Sequence, residues 1–176
     1  MQTPIEPATH VSAETPDWSR EYKTFFSWIP SRSLLASIRA YQRHAQSSNI
    51  FCRMVLKRMA VLRHRFWSVV TGADIPLNCH LGGGLLLPHP NGIVIYPGAH
   101  IGPNCLIFQQ VTIGTRSGHR SPPVIGGHVD IGAGAKILGH LSIGDHVCIG
   151  ANAVVLKDIP AGKTAVGIPA VIIERD

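Results

Sequence analysis

The chain has 176 residues, of which 45% are hydrophobic, and it carries a formal net charge of +6. This length predicts one domain, or a small domain with an appendage, and the many branched apolar residues exclude a disordered chain. Four widely spaced cysteines without a CxxC pair indicate free thiols in a reducing compartment rather than a disulfide framework. With no signal-peptide pattern and no apolar run as long as a membrane span, we expect a cytoplasmic protein.

The positive charge is concentrated in the first part of the chain. Residues 1–73 contain ten Lys or Arg against four Asp or Glu, whereas residues 74–176 contain six of each. A basic helix can contact nucleic acid or an anionic membrane surface, but the favoured interpretation of these charges is a helix face exposed to solvent. No nucleic-acid motif accompanies these charges, so we expect no nucleic-acid partner and at most a weak membrane-surface contact.

The first part of the chain predicts a tail followed by helices. Residues 1–17 are rich in Pro, Thr, Ser and Glu and are expected to be mobile, and residues 18–73 form an α-helical segment. Its first amphipathic helix places Leu34, Leu35 and Ile38 on one apolar face. The second helix has an apolar face at helical spacing that consists of Phe51, Val55, Met59, Leu62, Phe66 and Val69.

From residue 74 onwards, the apolar period is six. One column of branched residues comprises Ile95, Ile101, Ile107, Ile113, Ile125, Ile131, Ile137, Ile143, Ile149 and Val155. A second column of small or apolar residues follows it by four positions. This period fits neither an α-helix nor an alternating strand, and it is typical of a solenoid in which three six-residue units close one triangular coil. Residues 74–176 therefore form the solenoid domain, with the helices capping one end and the last residues forming a C-terminal cap.

Two interruptions of the period are informative. The early units are out of phase with the later ones by two residues, and the slip falls within the stretch PHPNGIVI, residues 88–95. The second interruption, residues 115–123, has no apolar column and is predicted to be an outward loop. Loops and irregular turns on a rigid solenoid are places where binding residues collect.

The stretches HPNGIVI, QQVTIGT, IGAGAKILG, IGANAVVLKDIP and AVGIPAVII resemble the serine acetyltransferases and the wider hexapeptide-repeat acyltransferases. This resemblance implies a mainly β fold, a left-handed parallel β-helix with a short N-terminal α-helical segment. It also implies acetyl-CoA as donor, a homotrimer, and active sites between neighbouring subunits. Serine O-acetyltransferase, a step of cysteine biosynthesis, is the favoured function, with His89 as the general base.

The sequence departs from the serine enzymes at several places. Pro88 stands where their catalytic histidine is preceded by aspartate, and the loop carries His119 and Arg120 in reversed order. Most of their N-terminal helical domain and their cysteine synthase docking tail have no counterpart, so we expect no such docking. A sugar or polysaccharide O-acetyltransferase is the alternative. A zinc-dependent or non-catalytic β-helix protein is a less favoured one.

Transfer of an acetyl group to an alcohol needs a base, and an imidazole titrates near working pH. No Ser or Cys nucleophile adjoins His89, which favours direct transfer without an acyl-enzyme. Without a preceding aspartate, the ring would be oriented by a backbone carbonyl or by a carboxylate such as Asp17 or Glu21. A backbone amide at Gly114 or a neighbour would bind the oxyanion.

Family position assigns the remaining site residues. Ala133, Ala151 and Lys157 would line the CoA site together with Gly114, and Lys136 or Lys163 would add cations. Two interpretations stay open for His119 and Arg120: they bind an acceptor carboxylate or hydroxyl, or they belong to a solvated loop. His128 and His146 occupy the same repeat position, where a zinc site shared between subunits is conceivable in this fold, but no metal is expected.

Overall fold

The computed structural model describes residues 11–24, 26–46, 48–117 and 121–174. Within these ranges, the side chains of residues 51 and 52 are not described. A short 3-10 helix, Trp18–Glu21, precedes two α-helices, α1 at Pro30–Ala45 and α2 at Ile50–Thr71. None of the described helices has both the length and the apolar content that crossing a bilayer needs.

The rest of the described chain consists of strands of two or three residues joined by tight turns. The strands are β1 His80–Leu81, β2 Val94–Ile95, β3 His100–Ile101, β4 Leu106–Ile107, β5 Thr112–Gly114, β6 Val124–Ile125, β7 Asp130–Ile131, β8 Lys136–Leu138, β9 Ser142–Ile143, β10 Cys148–Ile149, β11 Val154–Val155, β12 Thr164–Val166 and β13 Val171–Ile173.

These strands form three sheets, which are the three sides of the coil. Sheet 1 contains β1, β3, β6 and β9, sheet 2 contains β4, β7, β10, β12 and β13, and sheet 3 contains β2, β5, β8 and β11. The chain visits sheets 1, 2 and 3 in turn, and successive coils pair in parallel, except for β13, which runs antiparallel to β12. The solenoid that the six-residue period predicts is therefore present.

Both interruptions of the period appear as extra residues at a corner. Leu86 pairs with Leu106, twenty residues on, whereas Val94 pairs with Thr112, eighteen residues on, so the turn between sheets 2 and 3 holds two additional residues. His100 pairs with Val124, twenty-four residues on, which places the predicted loop between sheets 3 and 1.

The branched residues of the repeat point into the coil and are buried. Twelve isoleucines of the solenoid, from Ile75 to Ile159, are at most 3% exposed, and the second column is similarly buried at Ala99, Cys105 and Val129. Removing this much branched apolar surface from water is the main driving force that holds successive coils together.

Helix α1 caps the open end of the solenoid. Leu34, Leu35 and Ile38 are fully buried against the first coil. The Arg39 guanidinium donates to the carbonyls of Leu81 and Gly82 at 2.6 Å each, so it satisfies backbone acceptors that no further coil covers. The capping role predicted for the helices is thus carried by α1.

Helix α2 packs on α1 and presents an unexpected face to solvent. The apolar face that helical spacing predicts for this helix is exposed where the structure describes it: Val55, Met59, Leu62 and Phe66 are 42–65% exposed and Val69 is 84% exposed. The inner side of α2 instead uses Ala60, which is 3% exposed, and the His64 ring, whose Nε2 lies 2.8 Å from the Ile75 carbonyl oxygen.

Part of the segment predicted to be a mobile tail follows the corner between sheets 1 and 2. The Asn104 side-chain amide donates to the carbonyls of Ser12 and Thr15 at 2.8 Å, and its oxygen accepts from the Asp17 amide at 2.8 Å. Residues 1–10 lie outside the described residues. The described portion of this segment therefore forms specific contacts with the solenoid.

The C-terminal residues continue the coil further than predicted and then turn back. Ile159 still bridges to Ile143, and β12 is a regular member of sheet 2. The Ala170 amide then donates to the Val154 carbonyl at 2.8 Å, which closes the chain over the last strand of sheet 3. All three residues of β13 are exposed.

We expect the free energy of unfolding to fall as the pH rises above 9. Burial raises the pKa of the Cys79 thiol from 9.0 to about 11 and that of Cys105 to about 12. The unfolded chain therefore loses these protons at a lower pH than the folded chain. The contribution of the protonated thiols to the free energy of unfolding is complete below pH 9, and it is lost as the pH rises through their pKa values in the folded state. Urea unfolding from pH 7.5 to 11 measures this, and Cys105→Ala should flatten the dependence. An equally steep dependence in that variant would contradict the assignment to Cys105.

Candidate active site

His89 lies at the corner between sheets 2 and 3, in the turn that holds the two extra residues. The neighbouring Leu87 and Ile93 are buried in the coil, whereas His89 is exposed. The turn closes through the Ile93 amide, which donates to the Pro90 carbonyl at 3.2 Å, and Gly92 adopts a left-handed φ of 70°. The additional residues thus push the imidazole out of the regular coil surface.

The imidazole of His89 makes no hydrogen bond to any part of the chain that the structure describes. The expected carboxylate partners are engaged elsewhere, so that expectation was wrong. Asp17 accepts hydrogen bonds from the backbone and hydroxyl of Ser19, and Glu21 binds Arg39 at 2.8 Å and the Leu85 amide at 3.0 Å. The local ion pair of Glu21 forms because Arg39 lies over the first coil, where both side chains are largely buried.

The corner of His89 is continued by later turns of the same type. The Gln110 amide donates to the Asn91 carbonyl at 2.9 Å, and the Asn152 amide donates to the Ala133 carbonyl at 2.8 Å. Ala133 and Ala151 are therefore stacked on adjacent coils along one edge of sheet 3. Both side chains are small and at least partly exposed, which is compatible with the predicted CoA site.

The opposite edge of sheet 3 carries a second group of predicted residues. Gly114 ends β5, and its carbonyl accepts from the Gly139 amide at 3.0 Å. Lys157 follows β11 on the same edge and is exposed. The outward loop begins directly after Gly114, and His119 and Arg120 fall within the part of it that lies outside the described residues.

Two further polar side chains at this edge were not singled out from the sequence. Arg116 and His140 line a hollow of about 180 Å³ at the base of the loop, together with Leu138, Gly139 and Leu156. An arginine can bind a carboxylate or phosphate in a bidentate manner. In the sequence, Arg116 is a basic residue inside an interruption of the six-residue period, which is a pattern that could have indicated a binding residue. The period alone does not show which residues of the loop face the coil.

Gln109 is another residue that sequence reasoning missed. It lies one residue before Gln110 on the edge of His89, and its Oε1 is buried without a hydrogen-bond partner among the described residues. Such an oxygen is costly unless a further group donates to it. Sequence alone offers no signal here, because a glutamine at a turn is ordinarily solvated.

The remaining predicted cations differ in their availability. Lys136 Nζ donates to the Gln110 carbonyl at 2.5 Å and therefore lies beside the corner of His89. Lys163 is paired with Glu174 at 2.5 Å, so its charge is already partly neutralised. Of the three lysines, Lys157 and Lys136 are thus better placed along sheet 3 for a phosphate.

The two groups of site residues do not meet within one chain. His89, Ala133 and Ala151 lie on one edge of sheet 3, and Gly114 and Lys157 lie on the other, with the strands of the sheet between them. In an assembly in which the opposite edge of one copy faces the His89 edge of another, both groups would be brought to one site.

The histidine pair at the corner between sheets 1 and 2 is in direct contact. His128 Nδ1 and His146 Nδ1 are 2.8 Å apart, and the two rings meet edge to face on neighbouring coils, as their shared repeat position predicts. Within the described part of the chain, no three His, Cys, Asp or Glu side chains are grouped closely enough to hold one metal ion.

Comparison with known proteins gives the same fold. Residues 122–157 match the family model described as bacterial transferase hexapeptide (six repeats). A solved serine acetyltransferase in complex with CoA has a TM-score of 0.68 and 32% identity, over 83% of this chain and 58% of that one. A soybean serine acetyltransferase complexed with serine has a TM-score of 0.62 and 31% identity, over 80% of this chain and 70% of that one. These matches confirm the left-handed parallel β-helix.

Curated relatives share substantial identity with this chain. A serine acetyltransferase of Staphylococcus xylosus is 37% identical over 153 residues, which cover 83% of this chain and 71% of the relative. One from Synechococcus elongatus is 44% identical over 110 residues, which cover 61% of this chain but only 45% of that relative. The chain therefore spans less than half the length of some of the relatives that it matches.

Proposed function

Because the chain belongs to the serine acetyltransferase family, we propose that it transfers an acetyl group from acetyl-CoA to the hydroxyl of L-serine. The observation that carries this proposal is the exposed imidazole of His89 at a corner with two extra residues, on the same edge of sheet 3 as the small side chains of Ala133 and Ala151. A relative solved with CoA and another solved with serine support both substrates.

The proposed reaction needs one proton relay and no covalent enzyme intermediate. A ring nitrogen of His89 accepts the proton of the serine hydroxyl while the oxygen attacks the thioester carbonyl carbon. The resulting oxyanion is stabilised by a backbone amide at Gly114 or a neighbour of the adjacent copy. When the carbon–sulfur bond breaks, the imidazolium returns the proton to the CoA thiolate, so O-acetylserine and free CoA leave.

Binding of the substrates is divided between the two edges of sheet 3. Ala133 and Ala151 allow the pantetheine arm to lie close to the backbone, and Lys157 pairs with a CoA phosphate. Arg116 binds the serine carboxylate, together with the loop residues His119 and Arg120. This division supports a homotrimer in which each site takes its base from one copy and its oxyanion amide from the next.

The wider assignments follow from this activity. Residues 74–176 would form the acetyltransferase domain, with residues 115–123 as its acceptor loop, and residues 18–73 would form the helical segment that caps it. O-acetylserine formation would place the protein in cysteine biosynthesis. The buried thiols of Cys79 and Cys105 are compatible with the cytoplasm.

The direct test is thiol release from acetyl-CoA with a panel of acceptors. Purified protein is assayed against L-serine, homoserine and sugar nucleotides, with a thiol reagent as the readout. Serine should give the highest kcat/KM. Turnover with a sugar nucleotide but not with serine would replace the acceptor while keeping the acetyl transfer, and absence of thiol release with every acceptor would contradict the activity.

The shared site predicts that two inactive variants restore each other. His89→Ala removes the base, and Gly114→Val fills the space beside the backbone amide that would bind the oxyanion, so each variant should be nearly inactive. Trimers reassembled from an equal mixture should regain about one quarter of the wild-type activity, since one site in four then takes both intact halves. Activity is measured after joint refolding or co-expression, with each variant refolded alone as the control. No recovery above the separate variants would contradict a site shared between copies.

A further inference from the structure

The outward side of α2 is a continuous apolar strip. Val55, Met59, Leu62, Phe66 and Val69 recur at intervals of three or four residues, so they lie on one side of the helix, which we call the α2 outer face. All five are more than 40% exposed. The opposite side of α2 is the one that packs on α1 and on the core, so a single chain leaves most of the α2 outer face uncovered.

Basic residues flank this strip on both sides. Arg58 and Arg65 lie along one margin of the α2 outer face and Arg63 along the other, as helical spacing places them, and all three are exposed. The full sequence of α2 contains five Lys or Arg and no Asp or Glu. None of these three arginines forms an ion pair with the described residues of the chain.

Aromatic side chains extend the apolar surface beyond the helix. The Trp28 ring contacts Trp67 with centroids 5.3 Å apart, and Trp67 contacts Phe66 at 5.0 Å. Trp28 is 71% exposed and Phe26 is 93% exposed. Tryptophan and phenylalanine beside basic residues are typical of the boundary between lipid headgroups and acyl chains.

From this arrangement we infer that the α2 outer face binds the surface of an anionic lipid bilayer. The apolar strip enters the boundary of the acyl chains, while Arg58, Arg63 and Arg65 bind lipid phosphates at the headgroup level. Charge favours this occupant over a second copy, because packing two α2 outer faces together would oppose six arginines without an acidic partner on either helix. Nucleic acid would leave the apolar strip without a partner.

The position of α2 connects this surface to the corner of His89. The carbonyl of Gly72, directly after the helix, accepts a hydrogen bond from the Gly92 amide at 2.9 Å. Gly92 is three residues after His89 in the same turn. When the protein is bound through the α2 outer face, the His89 corner therefore lies within about one coil of the end of the membrane-bound helix. The inference of membrane binding does not depend on the proposed acetyltransferase activity.

Vesicle co-sedimentation tests this inference. The full chain is mixed with vesicles of phosphatidylcholine alone, or with 30% phosphatidylglycerol, at 0.1 M and 0.5 M salt. Binding should require the anionic lipid and should weaken at high salt, because the charges are screened. Leu62→Gln with Phe66→Gln should weaken binding at least about tenfold, because the buried apolar area is lost. Arg58→Gln with Arg65→Gln should weaken it by a similar factor of about ten.

A matched pair at the opposite end of the solenoid serves as the control. Val171→Gln with Ile173→Gln replaces two exposed apolar residues of β13 and should leave vesicle binding unchanged. Circular dichroism should be the same for all variants because every substituted side chain is exposed, and only the variant that loses the contact of Phe66 with Trp67 should melt slightly earlier. Equal binding to neutral and anionic vesicles, or unchanged binding of both α2 variants, would overturn the inference. So would a loss of oligomer, by analytical ultracentrifugation, in the Leu62→Gln with Phe66→Gln variant without a loss of vesicle binding.

Discussion

Replacing His89 with alanine is expected to lower kcat for acetyl transfer by about 10²–10⁴-fold, the range that a positioned general base contributes. The reason is chemical rather than structural, because His89 is exposed and makes no hydrogen bond to the described part of the chain. KM for acetyl-CoA and the melting temperature should therefore change little. Steady-state kinetics with L-serine, together with thermal unfolding, measure both quantities.

A second exposed histidine provides the matched control. His100 lies on sheet 1 and stacks on His80 with ring centroids 4.2 Å apart, on a different side of the coil from His89. His100→Ala should retain near wild-type kcat. Added imidazole should restore part of the activity of His89→Ala, because the vacated space at an exposed corner admits a soluble base. Wild-type kcat in His89→Ala would show that another group accepts the proton.

Gly102→Ala is expected to lower the free energy of unfolding by about 3 kcal/mol, at the upper end of what overpacking costs. A methyl group on Gly102 would lie 2.5 Å from the backbone carbon and oxygen of Gly126 on the next coil. Backbone atoms cannot move aside as a flexible side chain can, and the spacing between coils is set by the hydrogen bonds of the sheets. Urea unfolding at neutral pH measures the effect.

Gly114→Ala separates this steric effect from the general cost of replacing a glycine. A Cβ atom on Gly114 would have its nearest neighbours, Leu138 Cδ2 and Thr112 Cγ2, at 3.9 Å, which is ordinary contact. The backbone of Gly114 is not in the left-handed region. Gly114→Ala should therefore stay within about 0.5 kcal/mol of the wild-type stability. Equal stability of Gly102→Ala and Gly114→Ala would mean that the coils can separate locally.

The repeat was readable from the sequence because its physical cause is local and periodic. Each coil needs a large branched residue at one position and a smaller one four residues later to fill its narrow interior. Ile107 and Val111 therefore indicate the same coil geometry as Ile131 and Ala135. The corner with His89 was readable for the same reason. Two extra residues shift the period, and the pairing of Leu86 with Leu106 shows where they are accommodated.

The orientation of α2 was not readable in this way. An apolar stripe at helical spacing predicts that one side of a helix is buried, but it does not say against what. In the fold, α1 already covers the open coil with Leu34, Leu35 and Ile38, so α2 packs through a different side. The partner of Glu21 likewise depended on α1, since Arg39 reaches it from eighteen residues further along the chain.

The sequence by itself determined the solenoid, its capped end and the corner that exposes His89, because these depend on spacing that a few adjacent residues set. Only the tertiary structure decided that Gly114 and His89 lie on opposite edges of sheet 3, and that the apolar stripe of α2 faces outward. Both outcomes depend on which surfaces are already occupied when distant parts of the chain meet. Packing between distant segments of the chain does not produce a repeating pattern in the sequence, so it cannot be predicted from the spacing of residues.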